Sequence, residues 1–286
     1  MASLKEIKIR IASIQNTQKI TSAMKMVSSA KLHHAQQVVE PMRMYKEQLT
    51  DMLSGVLRLE SDTVQPCTQA REVKQVAIVA CSSNTGLCGA FNANIGRELS
   101  TRIHRLEANN IVVRLYPVGK KIDDELQRAG YRTDNRFVGI GDAPAYADAA
   151  RLATTLMELF LAGETDRVEL LYHHFKSRAV QTVCTQTLLP LTLPASATVG
   201  VATDYLVEPS ADELLHRLLP QMLKLALYTA LLDTSTAEHA ARMLAMQTAD
   251  DNANDLIRQL TLQYNKTRQQ AITNELLDIM GGAGRQ

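Results

Sequence analysis

Tryptophan is missing from this 286-residue chain, and four phenylalanines and eight tyrosines are all that stand in for it. Aromatic rings bring the most apolar area per residue to a core, so a chain with 4% aromatics lacks the usual filling of a large compact globule. Ala, Leu, Met and Gln take their place, and these are helix formers. Helix-rich chains of this kind are often elongated. Cysteine is scarce too: Cys67, Cys81, Cys88 and Cys184 form no CxxC and no ligand cluster with histidine. Scattered thiols suit a reducing compartment. His33-His34 and His173-His174 are adjacent pairs, and neighbours diverge on both helix and strand, so no metal and no cofactor is expected.

Charge of one sign is also absent. A net charge of +1 excludes a strong nucleic-acid signature. The distribution is less even: residues 1–46 are rich in lysine and arginine (Lys5, Lys8, Arg10, Lys25, Arg43 and Lys46 among them), while the stretch after Glu208 carries Asp212, Asp233, Glu238, Asp250 and Asp255. The ends are expected to attract each other or a shared partner, unless these charges only solvate their faces. No run is long and apolar enough to cross a bilayer. The greasiest segment, 214–232, is broken by His216, Arg217, Pro220, Gln221 and Lys224. The N-terminus is charged from Lys5 and has no apolar signal core. A soluble chain that docks on something in a membrane fits these observations.

What is there divides into regions. Residues 1–58 read as one long helix with Ser3 as N-cap and Glu6 at capping-box spacing. A seven-residue seam runs Ile7, Ile14, Thr21, Ser28, Ala35, Met42, Leu49, Val56, the signature of a coiled coil. The seam is small and polar in the middle, and Thr17, Thr21, Ser22, Ser28 and Ser29 offer a row without large apolar anchors. Pro41 is expected to kink or divide this helix. Residues 59–73 read as a linker. From 74 to 195, β-branched runs at Val76–Ala80, Ile111–Tyr116, Val168–Tyr172 and Thr182–Leu188 alternate with helical patterns at Asn92–Glu107, Lys120–Ala129 and Ala145–Ala162, which implies an α/β domain with a largely parallel sheet. Residues 196–209 connect it to a second long helix over 210–286, capped by Ser210, interrupted at Pro220 and ended by Gly281-Gly282. Seventy helical residues at ~1.5 Å each reach roughly 100 Å, about twice the width of a globule of this size. The terminal helices are therefore expected to pair and to project from a Rossmann-like central domain.

The loop Cys81-Ser-Ser-Asn-Thr-Gly-Leu-Cys-Gly-Ala-Phe-Asn92 follows the first buried strand, where nucleotide enzymes hold phosphate. It has neither GxxxxGK[ST] nor GxGxxG. A tight strand-to-helix turn capped by Asn84 or Asn92 explains both glycines more simply. Cys88 sits where a helix start lowers a thiol pKa, yet nothing in the sequence pairs it with a base. HExxH and GxSxG are absent as well.

Four stretches carry a resemblance. ITNELLDIMGGAGR at 272–285, KEIKIRIASIQNTQKITSAMKMVSSAKL at 5–32, EHAARMLAMQTADDNANDLI at 238–257 and SSNTGLCGAFNAN at 82–94 resemble, in the right order, segments of the gamma subunit of the rotary F-type ATP synthase. The resemblance implies a central-stalk drive shaft whose N- and C-terminal helices form an antiparallel coiled coil, and which binds no nucleotide and does no bond chemistry itself. It implies as partners a catalytic ring of alternating nucleotide-binding alpha and beta subunits, an epsilon subunit and a membrane c-ring turned by ion or proton transport. It places the chain at the cytoplasmic side of a bacterial inner membrane as a peripheral protein, not a homo-oligomer. By the same resemblance Met24, Lys25 and Arg242 face the catalytic ring, Gln269, Thr273 and Glu275 the opposing sleeve, and Tyr205 and Glu208 the membrane ring. Plastid members carry a cysteine pair in an inserted segment, and nothing comparable lies between Thr192 and Ser210. The alternatives are a Rossmann-like nucleotide-binding enzyme with helical extensions and a coiled-coil scaffold with no motor role.

Overall fold

The computed structural model describes residues 3–59, 66–141, 144–192, 207–208 and 210–283. Two very long helices bracket the chain: α1, Leu4–Leu59, and α5, Ala211–Ala283. Between them lie β1 (Gln75–Cys81), α2 (Phe91–Ala108), β2 (Val112–Val118), α3 (Lys120–Arg128), α4 (Tyr146–Leu161), β3 (Arg167–Phe175) and β4 (Gln181–Leu189). The chain forms two compact units, one of residues 30–241 and one of residues 1–29 with 242–286.

In the unit of residues 30–241 the sheet order is β2-β1-β3-β4, with β1 parallel to both neighbours and β4 antiparallel to β3. Strand β1 is buried on both faces, which is why it reads as the unbroken apolar run Val76–Ala80. Its residues alternate. Val76, Ile78 and Ala80 pack with Ile95, Leu99 and Ile103 of α2 and Ile122 of α3. Ala77, Val79 and Cys81 pack with Leu152, Leu156 and Phe160 of α4 and with Leu223, Leu227 and Leu231 of α5. Burial of Cys81 pushes its thiol up to about 12. A register shift opposite Val168 and Glu169 turns both Leu188 and Leu189 inward at the end of β4, the usual effect of an extra residue in one strand.

A third apolar cluster joins the two long helices within this unit: Leu49, Leu53 and Val56 of α1 against Leu215, Leu219, Met222 and Leu225 of α5. Leu49 and Val56 belong to the heptad seam. Along the whole of α1, every seam position from Ile7 to Val56 is buried or half-buried, so the seven-residue period marks the inward face.

Three expectations are corrected. Neither proline divides its helix: α1 runs unbroken through Pro41 and α5 through Pro220. Each proline removes one N–H from the ladder, while buried neighbours on both sides, Val39 and Leu49 in one case and Leu219 and Met222 in the other, hold the helix in register. Gly281-Gly282 does not end α5, which continues to Ala283. The row of small polar residues does not share one outer face. Ser28 is buried, Thr21 and Ser22 are half-buried, and only Thr17 and Ser29 are exposed. The hydroxyls of Ser28, Thr21 and Thr17 donate to carbonyls of their own helix, which is how a small hydroxyl is accommodated in or beside an apolar seam.

At the helix starts the sequence signals hold. Ser3 N–H donates to Glu6 Oε2 at 2.8 Å and Glu6 N–H to Ser3 Oγ at 3.2 Å, a reciprocal capping box. Ser210 Oγ accepts the N–H of Glu213.

Candidate functional site

In the unit formed by the two chain ends, side-chain contacts fix the helix pairing. Gln18 Nε2 donates to Asn254 Oδ1 at 2.7 Å, and Lys25 Nζ lies 3.5 Å from Asp250 Oδ2. Numbers rise on one helix as they fall on the other, so the segments run antiparallel. The basic first segment meets the acidic last one here, through a half-buried pair. Fifteen residues back from Gln18 is Ser3, and fifteen on from Asn254 is Gln269. Beyond Gln269, α5 therefore outruns its partner. Ile272, Leu276, Leu277 and Met280 in that stretch are exposed, Met280 by 74%. Ile9, Ile20, Met26, Val27 and Leu262 are exposed on the paired part. Large apolar side chains left open in this number mark a surface that another protein covers.

The residues assigned by resemblance are distributed along this unit. Met24 and Lys25 are half-buried, with Lys25 paired to Asp250. Arg242 is buried and lies eight residues before Asp250 on α5, ~12 Å along the axis. Gln269 and Thr273 are exposed one turn apart, and the Thr273 hydroxyl donates to the Gln269 carbonyl. Glu275 is exposed too, but two residues on from Thr273 it points about 200° round the helix. The arrangement is a line of separate contacts and not one pocket. Glu208 is exposed, just before α5, and Tyr205 lies outside the described residues.

The loop after β1 bears on where a phosphate could sit. A helix N-terminus binds phosphate through free N–H groups. In α3 those groups are taken: Lys120 N–H donates to Asn84 Oδ1, Lys121 N–H to the Ser83 carbonyl and Ile122 N–H to Ser82 Oγ. Asn84 thus caps a helix some 35 residues further on, and not the one that follows it. Asn92 folds back on the loop, accepting the Ser83 N–H and donating to Ser83 Oγ. Gly119, at φ 98°, is pressed so closely on the Ser82 carbonyl that an added Cβ would sit 2.2 Å from its oxygen. The loop after β1 is thus packed directly against the start of α3. Cys88 is buried beside Asn92 Nδ2 at 3.1 Å. Among the described residues no group of His, Cys, Asp and Glu could hold a metal ion.

Sequence reasoning missed a cluster in the unit of residues 30–241. Asp233 of α5 accepts from the Phe175 N–H of β3 at 3.1 Å, from Arg43 Nη2 of α1 at 3.3 Å, and lies 2.5 Å from His174 Nδ1. A cavity of about 530 Å³ adjoins it, lined by Arg43, Lys46, Thr50, Tyr172, His174 and Asp233 among others. Burial lowers the Lys46 pKa, against the pull of Asp233, and burial pushes Tyr172 up to about 12. The available signal was an aspartate in the middle of an Ala- and Leu-rich helical run, which is costly unless paired.

Comparison with known proteins is decisive for the family. The ATP synthase family model matches residues 3–284. The ATP synthase gamma chain of Parabacteroides distasonis is 62% identical over 283 residues, covering 99% of both chains, and that of Bacteroides thetaiotaomicron is 50% identical at the same coverage. The chain belongs to the ATP synthase gamma family. As a gamma-family chain it belongs to the ATP synthase complex, and among its described residues no helix is long and apolar enough to cross a membrane. The central stalk of the Tetrahymena thermophila mitochondrial ATP synthase, described together with its c-ring, superposes with a TM-score of 0.56 at 26% identity, over 80% of this chain and 99% of that one. The rotor of the Euglena gracilis mitochondrial enzyme shares the fold, with a TM-score of 0.62 at 21% identity over 94% of this chain and 98% of that one. The gamma family thus accounts for the two long helices.

Proposed function

We propose that this chain is the non-catalytic central shaft of an F-type ATP synthase, held at the cytoplasmic side of a bacterial inner membrane. It couples ion flow through the membrane c-ring to successive conformational changes at the sites that make ATP. The observation that carries this reading is the end of α5, which runs past α1 as a lone helix with Ile272, Leu276, Leu277 and Met280 exposed. An end of that kind needs a sleeve, and the ring of alternating alpha and beta subunits supplies one. Met24, Lys25 and Arg242 would contact the catalytic ring, and Gln269, Thr273 and Glu275 the sleeve around the tip. Tyr205 and Glu208 would meet the c-ring, with the epsilon subunit bound nearby.

The mechanism follows from symmetry. Two unlike helices in a pseudo-threefold ring present a different face to each catalytic site, so each site is biased towards a different conformation through differential contacts. Turning the shaft passes the bias to the next site. The first N–H groups of α3 are held by Ser82, Ser83 and Asn84, which fits a shaft that holds no nucleotide there.

The test is a pull-down of the tagged chain from detergent-solubilised membranes. The expected result is co-purification of a large nucleotide-binding assembly with ATPase activity, and no ATPase activity in the chain alone. Saturable binding of ATP to the purified chain in calorimetry, without such an assembly, would favour the nucleotide-enzyme alternative.

A further inference from the structure

The contact between α5 and the sheet is mostly apolar: Leu223, Ala226, Leu227, Ala230 and Leu231 lie against the inner face. Apolar contact is non-directional and resists sliding poorly when the side chains are small. The hydroxyls of Thr229, Thr234 and Thr236 do not add direction, since each donates to a carbonyl of α5 itself. Asp233 is different. Its side chain, 8% exposed, binds β3 twice, at the Phe175 N–H and at His174 Nδ1, and binds α1 through Arg43. Three elements meet on one carboxylate. The open cavity beside it means that close packing does not fix their register at this point; the directional hydrogen bonds do.

We infer that Asp233 is the joint that locks the rotational register of the helix pair on the α/β sheet, with His174 and Arg43 as its two side-chain partners. It is a positioning residue: load reaching the sheet domain passes to both helices through it. The inference rests on the shaft reading above. Among the charged and titratable groups around it, Lys46, Glu47 and Asp51 on α1 and Tyr172 on β3 line the same cavity.

The experiment uses the whole synthase, reconstituted in lipid vesicles with the natural chain or with Asp233→Asn, Asp233→Ala, His174→Leu or the His174→Leu/Asp233→Ala pair. ATP hydrolysis and ATP-driven uptake of protons, or of radiolabelled sodium, are measured on the same vesicles and normalised to assembled complex. Loss of hydrogen bonds to a charged group weakens the joint roughly tenfold, and ions moved per ATP hydrolysed should fall about threefold or more in Asp233→Ala. Hydrolysis per complex should stay close to that of the natural protein. The paired variant should be no worse than Asp233→Ala, because the two side chains act as one contact. An unchanged ion-to-ATP ratio in Asp233→Ala, or hydrolysis and uptake falling in step across all the variants, overturns the joint while leaving the shaft reading intact. If the natural chain enters no ATPase assembly, the shaft reading fails and the joint goes with it.

Discussion

The imidazole of His173 lies flat against the ring of Phe91, with centroids 3.8 Å apart and planes 18° apart. His173 is 1% exposed, and neither ring nitrogen has a hydrogen-bond partner. Burial lowers its pKa from the ordinary 6.5 to about 4. The folded protein therefore holds this ring neutral while the unfolded chain protonates it. This ring's contribution to stability is fully present above pH 6.5 and is lost as the pH falls through the window down to about 4. The size of the effect is on the order of 3 kcal/mol at ~1.4 kcal/mol per pH unit. Urea unfolding at pH 7 and at pH 4.5 should show a clearly smaller acid loss in His173→Leu than in the natural protein. Equal losses would mean that the ring is protonated in place.

Glu169 is 1% exposed on β3 and receives two hydrogen bonds from Arg102 of α2, at 2.8 and 2.6 Å. Arg167 Nε lies 2.8 Å from the same carboxylate but off the line of a hydrogen bond. Removing one partner of a buried pair strands the other, so Arg102→Met should destabilise the fold by about 3 kcal/mol. The double variant Arg102→Met/Glu169→Met should recover much of that loss. Denaturant midpoints of Arg102→Met, Glu169→Met and the double variant test the coupling, and strict additivity would show that the pair is not acting as a unit.

Gly119→Ala meets two obstacles at once. The backbone sits at φ 98°, and the new methyl would lie 2.2 Å from the carbonyl oxygen of Ser82. Gly119 lies in the turn between β2 and α3 and Ser82 in the buried loop after β1, and both clashing groups are backbone, so neither can move cheaply. A loss of about 3 kcal/mol or more is expected, read as a fall in thermal midpoint or as insoluble protein. Gly130, also at positive φ but with nothing within 4 Å, is the control and should lose only about 1 kcal/mol.

Pro41→Ala should stabilise the protein. The proline ring is exposed within an unbroken helix, so the substitution loses no packing and restores one N–H to the helix ladder. A gain of about 1–3 kcal/mol is expected from the removal of an interior proline. Unfolding monitored by helical circular dichroism would register it as a higher denaturant midpoint, and a lower midpoint would mean that the ring packs against something that holds it.

The sequence by itself determined the periodic parts of this protein. The run Val76–Ala80 read as a buried strand, and the seven-residue spacing from Ile7 to Val56 marked the inward face of α1, because both patterns are local consequences of where side chains point. Ser3 and Glu6 announced the helix start for the same reason. Only the tertiary structure decided which helix Asn84 would cap, that Pro41 and Pro220 would be carried through intact helices, and that Asp233 would meet His174 and Arg43 from 59 and 190 residues away. Those outcomes depend on partners distant in the chain, and sequence spacing carries no information about which buried donor a lone acceptor will find.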